Sequence, residues 1–186
     1  MNGQALPTAH GAPVRVVVPR WIGARSVKWV ERITAQDRPS DNFFQQSAYR
    51  LLPPEHDDPR PGDGVELTTV ALNSEILRPD DQATLTAGPV EVRGYAYADG
   101  DREVVRVDVS VDGGQHWTQA ELDDDPGPWA WRFWRSTAVL PAGTHRVLAR
   151  AWDSTAALQP EHAASLWNPK GYINNASPSI TITVRP

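Results

Sequence analysis

The stretch 104-VVRVDVSVDGGQHW-117 decides the architecture. Val105, Val107, Val109 and Val111 alternate with Arg106, Asp108 and Ser110, the period of two that marks a strand with one buried face. Asp112-Gly113-Gly114 then supplies residues able to take positive φ, as a tight hairpin needs. Outward from this stretch, 90-VEVRGYAYAD-99, 129-WAWRFW-134, 145-HRVLARAW-152 and 179-SITITV-184 alternate in the same way, and further strands are expected near 69–76 and 82–86. No window of a dozen residues holds a helical i, i+3, i+4, i+7 pattern, and 13 glycines and 17 prolines punctuate the chain. About seven short strands in roughly 120 residues predict a mainly β protein with an Ig-like β-sandwich. It must be built without an inter-sheet disulfide, because the chain has no cysteine.

Composition narrows the function classes. With 18 Lys+Arg against 23 Asp+Glu, the net charge is −5 and the pI about 5.5, so no overall field draws the protein to nucleic acid or anionic lipid. No apolar run reaches the ~20 residues of a membrane helix, and no signal-peptide pattern is visible. The lack of cysteine excludes thiolate nucleophiles, iron–sulfur ligation and Cys-based zinc sites. The five histidines, His10, His56, His116, His145 and His162, are never three to five residues apart, which argues against a His-only metal centre. Most of the eight tryptophans are expected in the core; an exposed aromatic platform for sugars or bases is the alternative.

Upstream of the sandwich, 51-LLPPEHDDPRPGDG-64 reads as an extended connection and a domain boundary. Before it, 12-APVRVVVP-19 and 24-ARSVKWV-30 are predicted strands. Alternation puts Val14, Val16 and Val18 opposite Arg15, and Ser26 and Lys28 opposite Arg25, Val27 and Trp29. Residues 1–57 are too few for an independent core and should belong to something larger. Arg15 and Lys28, set in an apolar strand pair, call for a counter-anion. Either a nearby carboxylate such as Glu31 or an acid of 37–41 serves, or a bound anion does; the residues alone leave both open.

Five segments in order, 1-MNGQALPTAHGAPVRVVVPRWIGARSVKWV-30, 95-YAYADGDREVVRVDVSVDGGQHW-117, 129-WAWRFW-134, 149-ARAWDSTAALQP-160 and 166-LWNPKGYINN-175, resemble the sulfite oxidase family of molybdopterin-dependent oxidoreductases. The resemblance covers almost the whole chain. It implies a C-terminal fragment of the α+β molybdopterin-binding domain over 1–57, a linker to about 64, and an Ig-like Mo-cofactor oxidoreductase dimerisation domain over 65–186. It also implies a molybdenum cofactor whose pterin phosphate is held by His10, Arg15, Arg25, Ser26, Val27 and Lys28, with Arg25 alternatively packing on Trp29. The family's molybdenum-ligating cysteine lies far upstream of these segments, so the resemblance implies no metal ligand here and a cofactor shared with an upstream segment or subunit.

The family's substrate-side arginine is replaced by Lys170, the candidate contact for a substrate anion, which keeps the charge and loses the bidentate fork. The resemblance further implies oxo transfer, sulfite to sulfate or a related small substrate, a homodimer, and a separate haem or cytochrome electron acceptor. The Met1-Asn2-Gly3 start matches an internal methionine of full-length relatives, so a shortened gene model, a deliberate excision or a split enzyme is expected. By itself the chain would then be inactive. The rival reading is a non-catalytic Ig-like dimerisation or interaction module. The compartment is not legible in the sequence.

Overall fold

A computed structural model describes residues 3–53, 58, 60–99, 101–125, 127 and 130–186, the Ser165 side chain excepted. Trp129, His56, the Met1-Asn2 start and residues 54–57 and 59 of the expected connection lie outside the described residues. The chain divides into two compact units. One is Met1–Val70 with Asn168–Tyr172, the other Ala71–Trp167 with Ile173–Pro186.

The first unit holds little regular structure: one-turn 3-10 helices at Thr8–His10 and Gly23–Arg25, a π-helical turn at Phe44–Ala48, and two short strands, β1 (Arg50–Leu51) and β2 (Val65–Glu66). The two strands pair antiparallel, Arg50 opposite Glu66, and so close the connection expected to run free between them. Arg50 performs the closure. Its Nε donates to the Asp63 carbonyl at 2.6 Å, and its Nη2 to those of Gly62 and Gly64, both at 2.7 Å. The strands predicted at 12–19 and 24–30 do not form as regular elements. Two backbone bonds, Val16 N to Val27 O (2.9 Å) and Val30 N to Val14 O (3.0 Å), tie the segments together, but Arg20 and Trp29 adopt positive φ and interrupt any ladder.

The second unit is a sandwich of β3 (Asn73–Arg78), β4 (Thr84–Thr86), β5 (Gly88–Tyr97), β6 (Val104–Ser110), β7 (Thr118–Gln119), β8 (Glu121–Leu122), β9 (Arg132–Leu140), β10 (Gly143–Asp153) and β11 (Ser179–Arg185). One sheet runs β4-β11-β10-β6-β7 and the other β3-β5-β9-β8. The mainly β, two-sheet class read from the alternation is the observed one. The short β7 and β8 raise the strand number above seven: the chain passes from one sheet to the other at buried Ala120, whose N–H bonds to the Val107 carbonyl. Val92, Val107, Val147, Ile182 and Trp134 meet in the core between the sheets. Gln159 pins the layers, its Oε1 accepting from Ser74 Oγ on β3 (2.6 Å) and from Ala151 N on β10 (2.8 Å).

Two expectations fail for identifiable reasons. Val105 is exposed and Val104 buried, because the pairing of β10 with β6 steps from Trp152–Arg106 to Asp153–Val104, leaving Val105 as the extra residue of a bulge. Only Trp134 among the described tryptophans is fully buried; Trp21, Trp29, Trp131 and Trp167 are exposed. Alternation assigns an indole to a face but cannot say whether another layer covers that face.

Candidate functional site: a cationic turn in the first unit

The 3-10 turn Thr8–His10 ends in Gly11, whose φ of 105° gives the left-handed cap that lets its N–H bond back to the Thr8 carbonyl. A Cβ at Gly11 would lie 2.9 Å from Lys28 Cβ and 3.0 Å from Lys28 Cα, so only glycine lets the two segments approach this closely. Three side chains grip the turn. Arg15 donates from Nη1 to the His10 carbonyl (3.1 Å) and from Nη2 to the Ser26 carbonyl (3.0 Å). Lys28 Nζ donates to the Ala9 carbonyl (2.9 Å) and Trp29 Nε1 to the Thr8 carbonyl (2.8 Å). Ser26 Oγ accepts from Val18 N at 3.2 Å, and the Val27 carbonyl accepts from Val16 N.

The structure thus brings together His10, Arg15, Ser26, Val27 and Lys28. Arg15 and Lys28 converge on the same turn, and among the described residues neither makes an ion pair with a carboxylate, so the Glu31 and 37–41 alternative is not realised there. His10 serves through its carbonyl, its side chain being exposed, and the Val27 side chain faces solvent. Arg25 is engaged elsewhere. Its Nη2 meets Glu66 Oε1 at 2.7 Å and the Leu67 carbonyl at 2.8 Å, which locks the Gly23–Arg25 turn to β2 instead of stacking on Trp29. Gly11 and Trp29 are the members that motif reading missed as site residues; a glycine directly after the histidine was the available signal.

Donor capacity remains at this turn. Among the described residues Arg15 Nε is buried without a hydrogen-bond partner, and Lys28 spends one of three donors. A buried guanidinium N–H left unpaired costs ~1–3 kcal/mol unless an acceptor reaches it. Two cations with spare donors are the donor set that a phosphate monoester takes, so the residues present fit the phosphate end of a molybdopterin.

Lys170 lies apart from this cluster in sequence yet in the same unit. Asn168 Oδ1 accepts from the N–H groups of Lys170 (3.2 Å) and Tyr172 (3.0 Å), closing a turn whose Gly171 sits at φ 65°. Lys170 Nζ then donates to the carbonyls of Ser47 (2.6 Å) and Ala48 (3.0 Å). In this conformation its ammonium holds the π-helical turn and keeps one donor for another acceptor. Among the described residues no cluster of three metal-ligating side chains occurs, and no helix is long and apolar enough to cross a membrane.

Comparison with known proteins places the chain in a family. Residues 66–185 match the Mo-co oxidoreductase dimerisation domain and residues 1–44 the oxidoreductase molybdopterin binding domain. Mitochondrial sulfite oxidase of Mus musculus is 38% identical over 198 residues, covering 100% of this chain and 36% of its own length. Sulfite oxidase of Gallus gallus is 40% identical over 185 residues, 95% of this chain and 40% of its own. The crystal structure of the sulfane dehydrogenase SoxCD from Paracoccus pantotrophus superposes with a TM-score of 0.82 at 28% identity, over 100% of this chain and 49% of that one. The chain therefore spans well under half the length of these curated relatives. With a dimerisation-domain match over most of its residues and a molybdopterin-domain match before it, the chain belongs to the sulfite oxidase family of molybdopterin-dependent oxidoreductases, of which it represents a C-terminal part.

Proposed function

We propose that this chain is the C-terminal portion of a sulfite-oxidase-class molybdenum oxidoreductase, in which the first unit anchors the cofactor's phosphate and the sandwich pairs two copies in a homodimer. Arg15 and Lys28 would supply the charge that holds that phosphate, with Ser26, the Val27 backbone and the His10 turn beside them. Arg25 acts as a positioning residue: by holding the Gly23–Arg25 turn to Leu67 it fixes where Ser26 stands. When bound, the molybdenum cofactor supplies two-electron oxo-transfer chemistry, sulfite to sulfate or a related small substrate in this reading. The thiolate that the family resemblance calls for would come from residues outside these 186, since none is cysteine. Electrons would leave to a separate haem or cytochrome. The similar SoxCD protein is a sulfane dehydrogenase, which supports a small sulfur compound as the substrate class.

The observation that carries the anchoring is the Arg15 guanidinium, held in place by two carbonyls yet with a buried Nε–H for which no described residue supplies an acceptor. Binding of a pterin carrying an alkyl phosphate, followed by pterin fluorescence, tests it against the same pterin without phosphate. The phosphate form should bind at least about tenfold more tightly, and Arg15→Gln and Lys28→Gln should each erase most of that difference. Equal affinity for the two pterins, in a chain that folds and pairs normally, would favour the non-catalytic interaction module instead.

A further inference from the structure

The outward face of the β4-β11-β10-β6-β7 sheet is dominated by charge of one sign. Val107, Ala149, Ala151, Ile182 and Val184 turn into the core, so the residues alternating with them turn out. Those outward positions on β6, β10 and β11 carry four arginines, Arg106, Arg146, Arg150 and Arg185, against one acid, Asp108. In a chain of net charge −5 this is a local reversal.

Two of the arginines are built into a fixed group. Arg150 stands opposite Asp108 across the β10–β6 pair, and Arg106 opposite Trp152. The Asp108 side chain is fully buried and both of its oxygens are taken. Oδ1 accepts from Arg106 Nε (2.6 Å), and Oδ2 from Arg150 Nε (3.2 Å) and Trp152 Nε1 (3.1 Å). The Arg150 guanidinium lies over the Trp117 ring, Cζ 3.9 Å from its centroid, and that indole is held in turn by a bond from Nε1 to the Gly114 carbonyl (3.0 Å). The Trp152 ring stands 5.6 Å from Arg106 Cζ and 5.9 Å from Arg150 Cζ.

One carboxylate cannot neutralise two guanidiniums, so the group keeps a surplus positive charge. Each arginine spends its Nε on Asp108, which leaves the terminal nitrogens, the fork that matches two oxygens of a tetrahedral anion; among the described residues no acceptor meets them. Both side chains reach solvent, Arg106 at 47% and Arg150 at 26%. Much of the rotamer freedom that an anion would otherwise have to remove is already lost to Asp108 and the two indoles. A halide offers no second oxygen to a fork, and a neutral ligand leaves the surplus charge unanswered.

We infer that Arg106 and Arg150 form a binding site for a tetrahedral oxyanion, sulfate or a phosphate monoester, with Asp108 as the buried anchor that holds both guanidiniums in place. Arg146 and Arg185 raise the potential of the face without touching the anion.

An NMR titration of the full chain, following the indole N–H resonances of Trp117 and Trp152, tests this with sodium sulfate, methyl phosphate and sodium chloride at matched ionic strength. Sulfate and methyl phosphate should give saturable shifts with a half-point of about 1 mM or below, and chloride no saturable shift. The tighter of the two names the source, a free mineral anion or a phosphorylated ligand. Arg106→Gln should weaken binding about tenfold or more. Because that change leaves buried Asp108 short of a partner, Arg106→Lys is the second variant: it keeps the charge, loses the fork and should weaken binding about fivefold, with an unchanged melting profile as the check on folding. Arg146→Gln should leave binding within about twofold. Non-saturating shifts that are the same for all three salts, or saturable binding that survives both Arg106 variants, overturn the site. Binding lost as strongly in Arg146→Gln as in Arg106→Gln reports only the diffuse field of the face and overturns it too.

Discussion

Gly94 on β5 is predicted to be irreplaceable, and alanine is the sharpest test because it adds one methyl group. The added Cβ would overlap the Glu75 carbonyl oxygen on β3 and Cζ2 of Trp134 on β9, and would stand 2.5 Å from Trp134 Cε2. Neither neighbour can retreat cheaply. The Glu75 oxygen belongs to the β3–β5 ladder, where Ile76 faces Gly94, and Trp134 is 1% exposed, walled in by the core. Forcing a methyl into a packed site costs ~1–3 kcal/mol, and loosening one or two ladder bonds adds ~1 kcal/mol each, for about 3 kcal/mol in total. The second unit comprises about 110 residues, so its unfolding entropy near the midpoint makes 1 kcal/mol worth roughly 4 °C. Gly94→Ala should therefore lower its melting midpoint by about 12 °C. Buried Trp134 makes intrinsic fluorescence the natural probe, with calorimetry as a check. A shift under about 2 °C would refute the claim that the indole needs the bare backbone of residue 94.

Asp108→Asn leaves Arg106 and Arg150 facing a neutral amide; because both arginines are partly solvated, the expected loss is about 2 kcal/mol, seen in urea unfolding as a lower midpoint with unchanged slope. Burial pushes the Asp153 carboxyl up, but the Thr155 hydroxyl and N–H, the Ala157 N–H and Arg102 outweigh it and hold its pKa below the ordinary 3.8. A folded-state pKa below the unfolded one gives stability that is fully present above pH ~4 and lost as pH falls through the lowered value, so Asp153→Asn should flatten the acid limb of the stability curve. Lys170→Met removes the two bonds to Ser47 and Ala48, and amide exchange over Phe44–Tyr49 should quicken roughly tenfold or more. Gly11→Ala should likewise speed exchange over Thr8–Gly11, since its Cβ displaces Lys28 and strains a left-handed residue.

Where the sequence could be read, one physical signal made it readable. Val107 and Val109, Ile182 and Val184, and Val92 and Ala96 alternate because a two-layer sandwich buries every second residue, so these strands were visible without coordinates. Val105 was misplaced because a bulge depends on how β10 meets β6, which is a property of the pair and not of either strand. The predicted strands at 12–19 and 24–30 had the right alternation, but their residues close a turn around His10 instead of a ladder, and Arg20 and Trp29 bend the path. Within the candidate site, Arg15, Ser26 and Lys28 were named through the family resemblance, and only the structure shows that Arg15 and Lys28 reach carbonyls of the His10 turn. Arg25 was legible as a cation but not as the partner of Glu66, 41 residues away along the chain.

By itself, then, the sequence determined a β-rich chain without thiol chemistry and the inward alternation of most core strands, since composition and alternation are local properties. Only the tertiary structure decided that Asn168–Tyr172 joins the first unit, that Arg50 closes the connection, and that the cationic turn is held without a carboxylate. Each of these depends on backbone carbonyls presented by distant segments. Every residue carries the same carbonyl, so no pattern of side chains can announce which one a lysine or arginine will find.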